Sequence, residues 1–255
     1  MRKVTKLLLV IAICGFIYSG FEIIRYLYDG YNNKQLQLEL QQMYKKSIAN
    51  QQNDKLSSVG DSSINAKEEA QENLEHFLPL LEINEDVKGW ISIAGTTIDY
   101  PIVQGEDNDY YLEHNIYREA SKRGSIFMDY RNSLQPNENL VIYGHEMKDG
   151  SMFGELTGYK QQSFYEDHRY ISIYTFDDSS TWEVFSVYIY EPTDHFFKIN
   201  FANEQEKIDF LTFIEQKSLY PTYSEVTAED ELLTLVTCTY EVHDGRLVVH
   251  AKKVK

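Results

Sequence analysis

Short runs in which apolar and polar residues alternate recur from residue 90 to the C-terminus, and they constrain the fold of this 255-residue chain more than any other feature. Alternation with a period of two is typical of strands that bury one face. The dipeptide Ala94-Gly95 and the sequence DDSS separate neighbouring runs and favour hairpins. The runs are WISIAGTTIDYPIV (two strands), GSIFMDYR, NLVIYGH, RYISIYTF, TWEVFSVYIYE, LLTLVTC and RLVVHAKKV. About eight strands without βαβ alternation predict a mostly β protein with a closed, antiparallel-rich barrel.

Two segments within this series have helical patterns instead. In NEQEKIDFLTFIEQ, Phe210, Phe213 and Ile214 lie at helical spacing. Asn203 and Glu206 are placed there like a capping box, so a helix is predicted to begin after Asn203. The segment DNDYYLEHN is predicted to form a short helix capped by Asp107.

The N-terminus combines positive charge with an apolar run. Three basic residues among the first six precede LLLVIAICGFIYSGF, and apolar character continues to residue 28 despite Glu22. The segment 7–28 is long enough to cross a membrane, and the basic residues favour a cytoplasmic N-terminus. A cleaved signal peptide would need a small-x-small site, but Ser19-Gly20 is followed by bulky Phe21, which favours an uncleaved anchor. We therefore predict a single-pass protein of the cell membrane with an extracellular domain.

These features divide the chain into three parts. Residues 1–30 are predicted to form the cytoplasmic N-terminus and the signal-anchor helix, and residues 31–73 a polar stalk or linker. The stalk is rich in Gln and Asn, and Leu36, Leu40 and Met43 fall at helical spacing, which predicts that part of it is helical. Its KLSSVGDSS stretch is typical of a flexible connection. Residues 74–255 then form the folded domain, which is long enough for one sizeable core.

The charge balance and the cysteine count exclude several classes of protein. A formal charge of −16 and a pI of about 4.8 argue against nucleic acid as a partner. Two cysteines are too few for a disulfide scaffold. Because Cys14 lies in the predicted membrane segment, it cannot pair with Cys238, which is then a free thiol in an exported domain. On residue type alone, that thiol is either a small buried apolar group or a nucleophile.

The surroundings of Cys238 favour the nucleophile. Asp244-Gly245 indicates a turn after the cysteine strand, so Arg246 is expected about 5 Å away across the ladder. A thiol also needs a proton acceptor, which Arg cannot be. Among the seven histidines, His145 ends a predicted strand and precedes a glycine-containing loop, where sites commonly form. His243, in the predicted turn, is the local alternative for the same role.

A metal site is not expected. His145 and Glu146 begin a sequence similar to the zinc motif H-E-x-x-H, but Asp149 stands where the second histidine would be. The chemistry predicted for Cys238 needs no cofactor.

Three sequence motifs together resemble a class B sortase. They are YGHEMKDGSMFGEL at 143–156, TLVTC at 234–238 and Arg246 on the following strand. The similarity extends through GWISI, TIDYPIVQGEDNDYYL and KRGSIFMDYRN, so that it covers residues 75–255. It implies a closed eight-stranded sortase-type β-barrel with N-terminal helices, in which a helix is inserted before the cysteine strand. Residues 74–255 are then the catalytic domain.

The resemblance also implies a role for each motif residue. Cys238 matches the nucleophile that attacks the carbonyl of a Thr in the C-terminal sorting signal of an exported protein. His145 matches the group that protonates the departing amine and then deprotonates the incoming one. Arg246 matches the group that holds the substrate and stabilises the oxyanion. The matched substrate-binding positions are Asn108, Leu112, Tyr143 and Thr237.

The expected partners follow from that reaction. They are sorting-signal peptides of secreted surface proteins, an amine of peptidoglycan or of its lipid-linked precursor, and the membrane through residues 7–28. Two alternatives stay open: a cysteine endopeptidase, in which water replaces the amine, and a tethered wall-binding module with an inert thiol.

Overall fold

The structure is a computed structural model that describes residues 2–57, 66–133, 138–190, 198–221, 224–238 and 245–254. Within these ranges the side chains of residues 2–3, 50–57, 66–72 and 238 are not described. The predictions that concern residues 239–244, including the turn at Asp244 and the alternative base His243, lie outside the described residues.

Eight strands form a closed barrel, which confirms the predicted fold class. Around the barrel the order is β1-β2-β3-β4-β7-β8-β6-β5. The strands are β1 Val87–Ser92, β2 Asp99–Val103, β3 Ile126–Met128, β4 Asn139–Tyr143, β5 Tyr170–Thr175, β6 Ser179–Tyr190, β7 Leu232–Cys238 and β8 Arg246–Lys253. The helices are α1 Arg2–Ser57, α2 Ala66–Ile83, α3 Gln162–Asp167 and α4 Glu204–Lys217, with 3₁₀ helices at Tyr110–Leu112 and Gly154–Lys160.

Two pairs of neighbouring strands are parallel. The predicted hairpins β1–β2 and β5–β6 are antiparallel, as are the β7–β8 and β6–β8 pairs. In contrast, β2 pairs with β3 and β4 pairs with β7 in parallel. Parallel neighbours need a long connection. Residues 104–125 connect β2 to β3, and residues 144–231, which include α4, connect β4 to β7. The parallel β4–β7 pair places the C-terminal ends of both strands at the same end of the barrel.

The core fills the barrel interior. Every strand contributes buried apolar side chains to one cluster, which includes Ile91, Ile102, Met128, Ile142, Ile173, Trp182, Leu235 and Val249. Each buried aliphatic side chain contributes roughly 1.5–3 kcal/mol relative to an exposed one. The alternation in the sequence therefore reports which residues face this interior.

Helix α4 covers the outer face of the sheet. Asn203 caps it by accepting a hydrogen bond from the backbone N–H of Glu206 at 2.9 Å. The carboxylate of Glu206 contacts Lys198 and the Ala202 N–H, so the capping box is formed only in one direction. Leu211 and Ile214 pack against buried side chains of β6, β7 and β8. This is the predicted helix before the cysteine strand.

The predicted short helix at DNDYYLEHN is a single 3₁₀ turn at Tyr110–Leu112. The Asp107 carboxylate accepts hydrogen bonds from the backbone N–H groups of Asp109 and Tyr110 at 2.9 and 2.8 Å. Asp107 therefore organises the start of this turn, as the sequence indicates.

The chain divides into two compact units, Met1–Glu39 and Leu40–Lys255. In the first, α1 from Val4 onward contains a window with a mean hydropathy of 2.3 and no buried residues. By length and composition, this is the one helix among the described residues that could cross a membrane. A signal sequence would meet the same criterion, so the anchor stays a prediction.

The second unit begins inside the segment predicted as a stalk. Leu40 and Tyr44 of α1 are buried, and the Tyr44 ring stacks on Trp90 with a centroid distance of 4.6 Å. The Gln41 side chain also donates a hydrogen bond to the Asp99 carbonyl at 3.1 Å. The predicted boundary at residue 74 therefore does not coincide with the start of this compact unit.

A buried chain of hydrogen bonds links β6, β8, β7 and β4. The Thr234 hydroxyl donates to the Asn139 side-chain carbonyl at 2.7 Å, so Thr234 must accept from Nδ1 of His250, 2.9 Å away. The other ring nitrogen, Nε2, then accepts from the Tyr188 hydroxyl at 3.1 Å. His250 has no exposed surface, and burial lowers its pKa to about 3. The ring is therefore neutral in the folded protein.

We expect this histidine to make stability fall with acidity. In the unfolded chain a histidine has a pKa of about 6.5. Below that pH the unfolded state therefore binds a proton that the folded state does not bind. The free energy of unfolding should decrease by up to about 1.4 kcal/mol for each pH unit below 6.5, until the folded-state pKa is reached. Urea titrations between pH 7 and 5 measure this, before most carboxylates titrate. In His250→Gln the slope over that interval should flatten, and an unchanged slope would contradict the assignment.

Candidate active site

Three neighbouring strands bring the predicted catalytic positions to one end of the barrel. Tyr143 at the end of β4 pairs with Val236 of β7, and the Gly144 N–H donates to the Val236 carbonyl at 3.1 Å. His145 and Cys238 each lie two residues beyond this pair, so the two backbones emerge together. Across the antiparallel β7–β8 ladder, Cys238 pairs directly with Arg246. The predicted neighbourhood of Cys238 and Arg246 is thus confirmed for the backbone, while the Cys238 side chain lies outside the described parts.

The imidazole of His145 is held by a backbone carbonyl. Its Nε2 lies 2.7 Å from the Leu112 carbonyl oxygen. A carbonyl only accepts, so Nε2 carries the proton of the neutral ring and Nδ1 carries the lone pair. In this tautomer Nδ1, and not Nε2, is the ring nitrogen that is able to accept a proton. Leu112, predicted as a substrate-binding position, therefore also orients the predicted acid–base residue.

The Leu112 carbonyl is itself fixed by the segment that packs beneath it. The Ser125 N–H donates to the Tyr111 carbonyl at 2.9 Å. The preceding Gly124 has a φ of +58°, and a Cβ there would lie 2.5 Å from the Tyr111 oxygen and 2.6 Å from the Leu112 oxygen. Only glycine combines this backbone conformation with such a close approach.

Gly124→Ala should therefore damage the site. We expect a loss of about 1–3 kcal/mol in the free energy of unfolding from the strained conformation, and a larger loss of turnover than Gly150→Ala produces. Gly150 is the matched control because its φ is +80° but nothing lies within 4 Å of a Cβ built on it. Equal turnover in the two variants would show that the contact with Leu112 has no effect on catalysis.

The loop that follows His145 is fixed by an ion pair between the buried side chain of Arg123 and the exposed side chain of Asp149. Nη1 of Arg123 lies 2.8 Å from one Asp149 oxygen and donates to Ser151 Oγ at 2.6 Å. Burial opposes ionisation of Asp149, but hydrogen bonds from Ser151 and the charge of Arg123 outweigh it and lower its pKa. Asp149 thus holds the loop shape, which explains an aspartate at this position without a metal.

Arg246 lies at the start of β8, where its side chain is half-buried. Its backbone pairs with Tyr190 on one side and with Cys238 on the other. Nη1 donates to the Gly245 carbonyl at 3.2 Å. A permanent positive charge beside the cysteine strand favours a thiolate and a developing oxyanion.

The predicted substrate-binding residues have different surroundings. Asn108 and Tyr143 meet at the buried carboxylate of Asp129, to which they donate hydrogen bonds of 3.0 and 2.9 Å. Thr237 is 1% exposed, and its hydroxyl has no hydrogen-bond partner among the described residues. Thr237 lies two residues after Leu235 on β7, so its side chain points to the same face as Leu235, toward the barrel interior.

Asp129 is the residue that the sequence interpretation missed. It follows the buried strand β3 and precedes Arg131 by two positions, and the two side chains form a two-point ion pair. A carboxylate followed two residues later by a guanidinium, directly after an apolar run, is the sequence signal that indicates such a pair.

A cavity of about 490 Å³ lies at the other end of the barrel. Its lining includes Leu140 at the start of β4, Glu231 just before β7 and Lys253 at the end of β8. These are the ends opposite to His145, Cys238 and Arg246, so the cavity is separate from the candidate active site.

Comparisons with known proteins agree with this geometry. A family model described as the Sortase domain matches residues 91–254, which is more than half of the chain. Sortase B of Listeria monocytogenes is 33% identical over 252 residues, covering 98% of this chain and 96% of that protein. Sortase B of Staphylococcus aureus is 39% identical over 188 residues, covering 71% of this chain and 77% of that protein.

Solved structures give the same result at the level of the fold. The crystal structure of sortase B from Bacillus anthracis in complex with AAEK1 has a TM-score of 0.75 and 41% sequence identity. The alignment covers 90% of this chain and 99% of that chain.

Proposed function

The chain belongs to the sortase family, as a class B cysteine transpeptidase that anchors proteins to the cell wall, and from that premise we propose which residues carry the reaction and how. The observation that supports the proposal most is the register of three strands. The parallel β4–β7 pair and the antiparallel β7–β8 pair bring His145, Cys238 and Arg246 to one end of the barrel.

In the first half-reaction, Cys238 attacks the carbonyl carbon of the Thr in a C-terminal sorting signal. The thiol of Cys238 gives its proton to Nδ1 of His145 as the C–S bond forms. The resulting tetrahedral species collapses by breaking the peptide C–N bond, while His145 passes that proton to the departing amine. The product is a thioester between the secreted protein and Cys238. Because Nε2 of His145 is bound to the Leu112 carbonyl, Nδ1 is the atom that donates this proton.

In the second half-reaction, an amine of peptidoglycan or of its lipid-linked precursor attacks the thioester. His145 accepts a proton from that amine as the new C–N bond forms. The C–S bond then breaks, and His145 returns the proton to the Cys238 sulfur, which leaves as a thiol. If water attacked instead, the same enzyme would act as an endopeptidase. The thioester is formed in the same way in both cases, and only the molecule that attacks it differs.

The tetrahedral species in both halves carries a negative oxygen, and Arg246 is its proposed partner. Guanidinium is planar, always charged and able to donate at two points. Asn108, Leu112, Tyr143 and Thr237 are proposed to line the path of the sorting signal. Asn108 and Tyr143 suit this role because both are held rigidly by Asp129.

The N-terminal helix is proposed to anchor the enzyme. Residues 7–28 would span the membrane once, with residues 1–6 in the cytoplasm and the catalytic domain outside. The apolar window in α1, none of it buried, supports this topology. The family places the enzyme at the cell surface, where sorting signals and wall precursors are both present.

The reaction is tested by trapping the intermediate. The full-length protein in detergent is incubated with a library of Thr-containing sorting peptides, and the peptide that contains Cys238 is examined by mass spectrometry for an acyl adduct. Added hydroxylamine or a short amine peptide should convert the adduct to an amide product. Adducts on another residue would contradict the role of Cys238, and products that stay free acids despite added amine would favour the endopeptidase.

Arg246→Lys separates charge from geometry. We expect turnover to fall at least about tenfold, less than the 10²–10³-fold typical for a lost oxyanion donor, because the charge remains. Arg169→Lys is the matched control, since Arg169 pairs with Glu183 on β6 and lies outside the proposed chemistry. Thioester formation and amine transfer are measured separately on one peptide. Rates near those of the unchanged protein would leave oxyanion stabilisation to backbone N–H donors.

A further inference from the structure

The carboxylate of Asp129, near the candidate active site, accepts five hydrogen bonds from described residues. It lies directly after β3 and has no exposed surface. Arg131 donates from Nε to Oδ1 at 2.8 Å and from Nη2 to Oδ2 at 2.7 Å. The backbone N–H of Arg131 adds a third bond to Oδ1 at 3.0 Å. This ion pair compensates the loss of hydration that a buried charge suffers.

Two further donors come from distant parts of the chain. Asn108 donates from Nδ2 to Oδ2 at 3.0 Å, and the Tyr143 hydroxyl donates to the same oxygen at 2.9 Å. Asn108 lies in the segment between β2 and β3, and Tyr143 ends β4. One buried carboxylate therefore joins three segments.

The charge on Asp129 fixes the direction of each of these bonds. Burial alone would raise the pKa of Asp129, but hydrogen bonds from Arg131, Tyr143 and Asn108 outweigh burial and lower it. An ionised carboxylate only accepts, so Tyr143 must donate and Asn108 must turn its NH₂ group toward Asp129. The Asn108 carbonyl then accepts from the Tyr130 N–H at 3.0 Å, which locks the amide orientation.

The two residues that Asp129 holds belong to the two segments that place His145. Tyr143 lies two residues before His145 at the end of β4. Asn108 lies four residues before Leu112, whose carbonyl holds Nε2 of the imidazole. A displacement of either segment would therefore move the ring relative to the cysteine strand.

We propose that Asp129 is a positioning residue for His145. Through its hydrogen bonds with Tyr143 and Asn108, Asp129 holds the end of β4 against the segment that carries the Leu112 carbonyl. Asp129 does not contact the substrate in this role. The proposal rests on the proposed function, because that function assigns proton transfer to His145.

Asp129→Asn tests the proposal, because it keeps the shape and replaces one acceptor oxygen by a donor. We expect kcat/KM for thioester formation to fall roughly tenfold to a hundredfold, as small misplacements of catalytic groups do. We also expect a change in the pH dependence of Cys238 alkylation by iodoacetamide, which needs no substrate. Alkylation of the full-length protein is read by mass spectrometry on the peptide that contains Cys238, separately from the peptide that contains Cys14.

Glu183→Gln is the matched control. Glu183 is also a largely buried carboxylate paired with a guanidinium, that of Arg169, but it lies on β6 beside the end of β8 that is remote from Arg246. It should lower the melting temperature without changing either the alkylation profile or kcat/KM. The proposal would be overturned if Asp129→Asn only lowered the melting temperature and left kcat/KM and the pH dependence of Cys238 alkylation unchanged.

A second variant covers the case in which Asp129→Asn does not fold. The double variant Asn108→Ala/Tyr143→Phe leaves the Asp129–Arg131 pair intact but removes both links. It should change the alkylation profile in the same way, and an unchanged profile would overturn the proposal. If the unchanged protein forms no thioester with any peptide, the proposed reaction fails, while the alkylation comparison still decides the role of Asp129.

Discussion

Cys238→Ala should abolish thioester formation and amine transfer while leaving the barrel folded. The sulfur is the only proposed nucleophile, and loss of a nucleophile in comparable enzymes lowers turnover by about 10⁶-fold. The fold should tolerate the change because the β7 backbone keeps its ladders with β4 and β8, and alanine removes only one atom from the side chain. We expect turnover below detection and a melting temperature within a few degrees of that of the unchanged protein.

Cys14→Ala is the control for this experiment. Cys14 is the other cysteine of the chain and is exposed on α1, in the predicted membrane segment. It should form the thioester at the normal rate. Residual cleavage in Cys238→Ala at a rate near that of the unchanged protein would remove the thiol from the mechanism.

The barrel was predictable because strand alternation is a local property. Each strand of the barrel turns one face toward the common interior. The alternation of apolar and polar residues along a strand is therefore visible without knowledge of its partner strand. Strand direction is different, since the sequence of β3 is the same whether β2 runs parallel or antiparallel to it. The two parallel pairs, β2–β3 and β4–β7, depend on how long connections are routed, and alternation carries no information about that.

The packing of α1 shows a similar limit at the N-terminus. The segment 31–73 is polar on average, which predicts a stalk, yet its few apolar residues are placed so that Leu40 and Tyr44 are buried. The stacking of Tyr44 on Trp90 joins residues that are far apart in the sequence. The average composition of the segment therefore does not indicate that the part of α1 around Leu40 and Tyr44 belongs to the second compact unit.

The candidate site was predictable only in part, for a related reason. His145, Cys238 and Arg246 stand at strand ends within recognisable motifs, and the strand register places their backbones together. The groups that hold them are less visible. The Leu112 carbonyl is a backbone atom, which every residue type supplies, so no residue type indicates its contact with His145. Asp129 takes its role from Asn108 and Tyr143, and these meet it only in three dimensions.

His145→Ala should lower turnover by about 10²–10⁴-fold, the range that general acid–base catalysis contributes. Both half-reactions should slow, because the same Nδ1 donates a proton in the first and accepts one in the second. His145→Gln distinguishes proton transfer from positioning. The Gln side-chain NH₂ is able to donate to the Leu112 carbonyl as Nε2 does, but an amide does not exchange protons near neutral pH. We therefore expect the Gln variant to be as inactive as the Ala variant.

The alternative base is tested in parallel by His243→Ala, which should retain most of the activity. Thioester formation and amine transfer are measured separately with the full-length protein, on one peptide and one amine, together with the melting temperature of each variant. Inactive His243→Ala combined with active His145→Ala would make His243 the base. Near-normal turnover in His145→Gln would mean that His145 serves only to order the strand end against Leu112, so that the proton must move through another group.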